Sequence, residues 1–409
     1  MAGLDAPSYF DALTTSLRGQ APDEVADELP KLKDAYSRQL WHEFSSGMLR
    51  LIQENAAMRV AAYDVHDVLL VPVRSNLDAS LYVRLLFYAC GAVTSAPASS
   101  EEETSANFKK VESLLDSAIA SLLTNGHTQC VAAVHCLKAL ILMAHGPSLD
   151  AKTLLQKASD TIDATPVHEI LPILQCMYNR AMVRQCELLC DYDAFYTTAF
   201  AFHRYSGVAG LPLVGDELAA VAYKTAIAAL LAKKVFNFGE LLNAAAFVDA
   251  LDNSSEQKWA IDLIRTCSRG AVADYARFVE TNSALVRSMP DLCAAIEEGR
   301  LGRKARLMAL LHLIFHTPAD QRVLTFDAVA ERCGLTLPEV EPLLLTAMAQ
   351  KLVQGTIDEL EQTVEITWVL PRVMSKDEIA ALAKNIGQWR VAVKQTAEHV
   401  GKMAAKISK

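Results

Sequence analysis

The sequence predicts an all-α-dominated protein. It reads as an α-solenoid of helical hairpins, followed by a winged-helix module with a small β-hairpin and one long C-terminal helix. Three observations carry this. The 409 residues are 52% hydrophobic and rich in Ala and Leu, with only 17 Gly and 14 Pro, a mix that favours helices over strands. Up to about residue 300, apolar residues recur three and four apart in one segment after another. Beyond that point the pattern changes to three short helices, an alternating hairpin and a heptad stripe.

The first 300 residues are expected to be helical repeats. Amphipathic stretches run Asp23 to Ser45, Asp78 to Cys90, Asn107 to Leu123, Thr128 to His145, Val167 to Cys190 and Glu217 to Lys234. Leu114, Leu115, Ala118 and Leu122 show the spacing of a helix face. Short polar breaks such as NGH, HGPS and SGVAGLP separate the helices. Helix pairs of about 40 residues in sequence suggest a solenoid, although no strict repeat signature accompanies the rhythm. The segment Thr94 to Ser105, TSAPASSEEETS, is small, polar and acidic, and is expected to be a solvated loop.

Residues 301–373 carry the order of a winged helix. Leu301 to His316 is a strongly apolar helix that stops at Thr317-Pro318. Thr325 is placed to cap FDAVAERC, which Gly334 ends. Thr336 is placed to cap a third helix with Pro338 in its first turn. The hairpin follows. In its second strand Val364, Ile366, Trp368 and Leu370 alternate with Glu365, Thr367 and Val369, as a half-buried strand requires. These four apolar residues are the candidate interface of the wing strand. Pro371 cannot donate a ladder hydrogen bond and ends it.

Residues 374–409 form the last element. After Ser375, a plausible N-cap, one helix is expected with Ile379, Leu382, Ile386, Trp389, Val393, Val400, Met403 and Ile407 on one stripe. Thr396 fills the missing position. This is a heptad seam over four repeats, which calls for partner helices. The helix could fold back on its own solenoid, but its length and narrow stripe fit an intermolecular bundle better.

Several function classes are excluded or disfavoured. A net charge of −9 makes the chain a poor generic partner for nucleic acid or an anionic membrane. Between Leu301 and Pro371 six cations face nine carboxylates. The third helix has Glu339 and Glu341 and no Lys or Arg before Lys351, whereas a groove reader needs cations there. Nine scattered cysteines with no CxxC read as reduced core thiols. The start, MAGLDAPSYFD, has no basic region or apolar core, and VAAVHCLKALILMAHG is too short to span a bilayer. The expectation is a soluble intracellular protein with no membrane contact. There is no GxxxxGK[ST], GxGxxG or GxSxG. His312 and His316 stand one helical turn apart but lack the glutamate of HExxH, and Asp191 and Asp193 read as a cap and turn. No catalytic residue, metal or cofactor is expected.

Helical repeats followed by a winged helix resemble the PCI-domain family, whose name joins the proteasome lid, the COP9 signalosome and translation initiation factor 3. The resemblance covers roughly residues 190 to 395, including the helical part of a PCI module from about 190. It is sharpest at VFNFGELL (Val235 to Leu242), at TIDE (Thr356 to Glu359) and at the TW-V-PRV pattern of Thr367 to Val373, and it includes Trp389. These stretches point to the lid branch of the family. The resemblance implies a non-catalytic scaffold in the cytoplasm and nucleus, part of a hetero-oligomer. Its winged helix would join a row of others, and its last helix would enter a shared bundle. Implied neighbours are other PCI subunits of the lid, the MPN-fold subunits and a ubiquitin receptor with a von Willebrand-type domain. Read without the family, VFNFGELL is a tight inter-helix turn with two core aromatics, Phe236 and Phe238.

Overall fold

The computed structural model describes residues 5–17, 23–95, 101–282, 287, 289–317, 322–371 and 376–407. Among these there are twenty α-helices and three short strands, all three between Val323 and Val369. The chain divides into two compact units, Met1–Leu213 and Val214–Lys409.

The first unit is a two-layer helical stack. Helices Trp41–Glu54, Ala79–Thr94, Thr128–Leu142 and Pro172–Leu188 each pack on the next in one layer. Helices Ala56–Val65, Glu101–Thr124 and Leu149–Ala164 bridge successive members of that layer, as the solenoid reading requires. Thr128–Leu142 packs against four neighbouring helices. Its residues Cys130 to Val134, Cys136, Leu137 and Ala139 are all buried. A helix enclosed on most sides must be apolar nearly all round, so this stretch was the most apolar of the sequence. At the start of the unit Phe10, Tyr36, Trp41 and Phe44 interlock edge to face, with ring centroids 5.1–6.3 Å apart.

Three expectations for this unit change. The stretch Asp23 to Ser45 is two helices, Asp23–Ser37 and Trp41–Glu54, because Gln39 takes a left-handed φ of 60° and turns the chain. The acidic loop is shorter than expected. Helix Glu101–Thr124 already begins with the three glutamates Glu101, Glu102 and Glu103, whose charges favour the positive end of a helix; residues 96–100 lie outside the described residues. Between the fourth and fifth helices the chain winds through a π-helical turn, His66–Leu70, and a 3-10 turn, Val71–Asn76. Val71 N–H reaches back five residues to His66 O, and Pro72 has no N–H with which to resume an α-helical ladder. His66 is buried there, its Nε2 3.2 Å from the Tyr82 hydroxyl. Burial, helped by the nearby Arg74 charge, pulls its pKa down to about 4.

In the second unit the helix Arg300–His316 is central. It packs against Lys258–Ser268, Val272–Thr281 and Pro290–Glu297, and also against Phe326–Cys333 and the sheet. The helix that opens the winged helix therefore shares its core with the helices before it. Gly270 ends one of these neighbours with φ +65°, and a Cβ there would stand 2.6 Å from Ala309 Cα. A two-pronged bridge from Arg265 to Asp252, at 2.9 and 2.7 Å, ties helix Ala245–Asp252 to helix Lys258–Ser268. The Arg265 guanidinium holds the Asp252 carboxyl below its ordinary pKa.

The caps form as the sequence indicates. Thr325 Oγ1 accepts from Ala328 N, and Gly334 closes that helix in the left-handed region at φ 62°. Glu339 accepts from the backbone N–H of Thr336 at 2.9 Å and from its hydroxyl at 2.8 Å. These donors lower the Glu339 pKa. The sheet has three strands, not two: β1 (Val323–Thr325), β2 (Val353–Asp358) and β3 (Thr363–Val369), in the order β1-β3-β2 and antiparallel throughout. At the hairpin turn Asp358 Oδ1 accepts from Leu360 N and Glu361 N, leaving the Leu360 side chain 96% exposed. Ser375 and Pro318 lie outside the described residues.

Candidate assembly surfaces

The wing strand does not present its apolar residues as the alternation predicts. Val364 and Ile366 are buried in the protein's own core, so they have no surface to offer a partner. Beyond them the ladder slips: Gln354 pairs with Trp368 while Gly355 pairs with Ile366, leaving Thr367 as the extra residue of a bulge. The bulge resets the inside–outside alternation, and Trp368 emerges 37% exposed. Leu370 lies past the strand end, half-buried, with its N–H donating to Leu352 O at 2.8 Å. β3 is also the central strand, hydrogen-bonded on both sides, so it cannot add to another sheet. The strands with a free edge are β1 and β2. The bulge rests on Gly355, whose missing Cβ would fall 2.1 Å from Glu365 O.

The terminal helix Lys376–Ile407 carries the second expected surface. Its stripe is open: Ile379 is 53% exposed, Leu382 44%, Ile386 55%, Trp389 70%, Val393 48% and Val400 57%. The side chains of Met403 and Ile407 lie outside the described residues. Six large apolar residues on one face of one helix form an exposed patch of the kind that marks an interaction site.

The third helix of the winged helix, Leu337–Ala349, exposes Leu337 and Leu345 rather than cations. Of the cations counted for this module, Lys304 is buried and Arg332 is anchored to Arg269 O and to His312 Nδ1. His312 and His316 stack on each other, ring centroids 4.1 Å apart, and His316 Nδ1 lies 2.8 Å from His312 O. The Nδ1 atom of each ring thus has a local partner, and no group of three or more potential metal ligands occurs among the described residues. Asp191 is a helix cap, accepting from Ala194 N at 3.1 Å. All nine cysteines are free, seven of them buried. Burial pushes the thiols of Cys90 and Cys267 up to about 12, which leaves them protonated and unreactive. No helix of the described residues is long and apolar enough to cross a membrane.

One functional group escaped the sequence. The ammonium of Lys304 closes the C-terminal end of helix Gly215–Leu231, donating to Ala229 O at 2.6 Å and Ala232 O at 2.7 Å. The rings of Phe236 and Phe238 lie 5.5 and 5.3 Å from it. Asn237 Oδ1 accepts from Gly239 N and sets the turn between them. VFNFGELL is thus a turn with two core aromatics, and those aromatics also line a cradle for a cation. The signal was present: Leu301, Lys304, Met308 and Leu311 fall three, four and three apart, which places Lys304 on the buried face.

Comparison with known proteins matches these elements. The family model for PSD13 N-terminal repeats covers residues 28–264, and that for the PCI domain covers residues 293–368. A relative named 26S proteasome non-ATPase regulatory subunit 13 homolog A, from Arabidopsis thaliana, is 25% identical over 378 residues, 91% of this chain and 92% of its own. A Schizosaccharomyces pombe protein named probable 26S proteasome regulatory subunit rpn9 is 26% identical over 377 residues, 92% and 91% of the two chains. Subunit M of eukaryotic translation initiation factor 3 from the same yeast is 26% identical over 156 residues, only 38% and 36% of the two chains. The helical repeats match one family along more than half the chain, and the winged helix matches the module that follows them. The chain belongs to the PSD13 family.

Proposed function

We propose that the chain is a non-catalytic structural subunit of the 26S proteasome regulatory-particle lid and supports ubiquitin-dependent protein degradation. The observation that carries this is the terminal helix, which leaves a heptad seam open in a protein whose fold matches relatives named as proteasome subunits along most of their length. In this reading the helical repeats, 1–300, are the arm. The winged helix, 301–373, joins a neighbour through a free sheet edge, β2 in particular. The terminal element, 374–409, enters a bundle of helices. Neighbours would be other PCI subunits of the lid, its MPN-fold subunits and the ubiquitin receptor with a von Willebrand-type domain, in cytoplasm and nucleus. The third helix shows leucines and glutamates where a nucleic-acid reader would need cations, and Lys304 and Arg332 are held within the fold, so protein pairing is the better use of the wing.

The test compares the tagged full chain with one that stops at Met374, each recovered from native lysate at moderate salt and analysed by mass spectrometry. Lid and base subunits should accompany the full chain and be lost from the shorter one. Recovery of initiation-factor or signalosome subunits instead would keep the PCI fold and overturn the choice of complex. Equal recovery of lid subunits by both chains would remove the terminal helix from the argument.

A further inference from the structure

The terminal helix differs from the rest of the chain in charge. From Lys376 to Lys409 there are seven Lys or Arg and three Asp or Glu, a net +4, which leaves −13 on the remainder. The arrangement matters more than the sum. With Ile379, Ile386, Val393 and Val400 at a and Leu382 and Trp389 at d, Arg390 occupies an e position and Lys394 stands one turn further on the same flank. Both are exposed and neither forms an ion pair among the described residues. Two like charges four apart repel on an isolated helix. The other e and g positions between Ile379 and Val400 hold Ala383, Asn385, Ala392, Ala397 and His399. From Ile379 onward no carboxylate stands at an e or g position; Glu378, at g, precedes the first a residue. The sole acid of its last three heptads is Glu398, at f, turned away from the stripe.

From this we infer that the seam selects a helix of a different chain, apolar along its own stripe and flanked by Asp or Glu opposite Arg390 and Lys394. A second copy of this chain offers no carboxylate opposite Arg390: a parallel copy would set it against the g position held by Asn385, and an antiparallel copy against a second Arg390. The alanines beside the stripe let a partner backbone come close, so the cationic flank meets its carboxylates at short range. The apolar stripe supplies the attraction, and the flank charges supply choice of partner. This inference rests on the lid-subunit reading, because it names the chemistry of the helix that covers the same seam.

The test uses the full chain, tagged and replacing the resident copy in cells, with lid particles separated on a native gradient. Three variants are compared with wild type: Ile386→Asp with Val393→Asp in the seam, Arg390→Glu with Lys394→Glu on the flank, and Lys384→Glu on the opposite side of the helix. Thermal melts of the purified variants should coincide, since every altered side chain is exposed. Flank reversal should lower retention in the lid about tenfold at ~0.05 M salt, with partial recovery at ~0.5 M as screening grows. Lys384→Glu should assemble like wild type, and the purified full chain should sediment as a monomer. If the seam variant is lost from the lid while the flank variant is retained, the acidic partner is wrong and the lid reading stands. If the seam variant is retained, the lid reading of this helix falls first. Self-association of the wild-type chain that the seam variant abolishes would make a second copy the occupant and overturn the inference.

Discussion

Lys304→Met tests the least visible feature of the fold. Methionine keeps the length and apolar stem of the side chain and loses only the ammonium. What remains are the Ala229 and Ala232 carbonyls, which accept from Lys304 at 2.6 and 2.7 Å, with the Leu230 carbonyl at a longer 3.4 Å. Each short bond removed leaves a buried acceptor at a helix end, costing about 1–3 kcal/mol. The loss of charge over the Phe236 and Phe238 faces adds to this, while the sulfur keeps a weaker contact with the rings. Against this stands the desolvation of the ammonium, which the variant no longer carries. The carbonyls and ring faces around Lys304 are neutral groups, and the net should be a loss of about 2–4 kcal/mol. For a unit the size of Val214–Lys409 this lowers Tm by about 5–15 °C. Calorimetry of the full chain would read it, with far-ultraviolet circular dichroism at 20 °C confirming that helix content is unchanged. A Tm within 1 °C of wild type, or above it, would mean that the cost of burying the ammonium outweighs its bonds and that the cradle does not stabilise the fold.

Other predictions follow from the same structure. Gly355→Ala places a Cβ 2.1 Å from Glu365 O, so the bulge must open; a loss of about 2 kcal/mol or more in urea unfolding is expected, and an unchanged midpoint would show that the bulge is not fixed there. Trp368→Ala should cost only about 1 kcal/mol of monomer stability, because the ring is partly exposed; a loss above 3 kcal/mol would return it to the core. Buried His66 has its pKa lowered to about 4, so the unfolded chain takes up a proton near pH 6.5 that the folded chain refuses. Its contribution is therefore complete above pH 6.5 and falls by about 3 kcal/mol as the pH drops toward 4. His66→Gln should flatten that part of the stability profile, and a profile parallel to wild type would remove His66 as its cause.

The sequence was informative wherever one rule acted alone. Helix faces and the caps at Thr325 and Thr336 each follow from local spacing or local hydrogen bonding, and the structure places them as expected. It was less informative where tertiary contact overrode local pattern. The period of two in β3 assigned Trp368 to the same face as Val364 and Ile366. A single extra residue in the ladder cancelled that assignment, and only the partner residue Gly355 reveals where the slip occurs. β1 was missed because Val323–Thr325 is three residues long and runs straight into a cap. Lys304 was counted among the module's six cations without regard to burial, although its place three residues after Leu301 and four before Met308 put it inside.

The same contrast separates the two kinds of surface the protein exposes. A winged helix can turn its third helix and wing toward a nucleic-acid groove or toward a protein, and the fold alone does not choose. Here the residues choose. The third helix shows Leu337, Leu345 and two glutamates, and the wing tip shows Leu360 among acids. Two of the module's six basic residues, Lys304 and Arg332, are buried or bound locally, and its exposed Arg303 and Lys351 do not stand on the face of the third helix that shows Leu337 and Leu345. Arg390 and Lys394 of the terminal helix stand open beside a stripe that is apolar and unburied. Charge placed next to exposed apolar surface is how a helix discriminates between helices, whereas phosphate readers spread their cations along a groove-facing element. On the proposed reading the chain carries its partner specificity in its last element, with the free edge of β2 as a second contact.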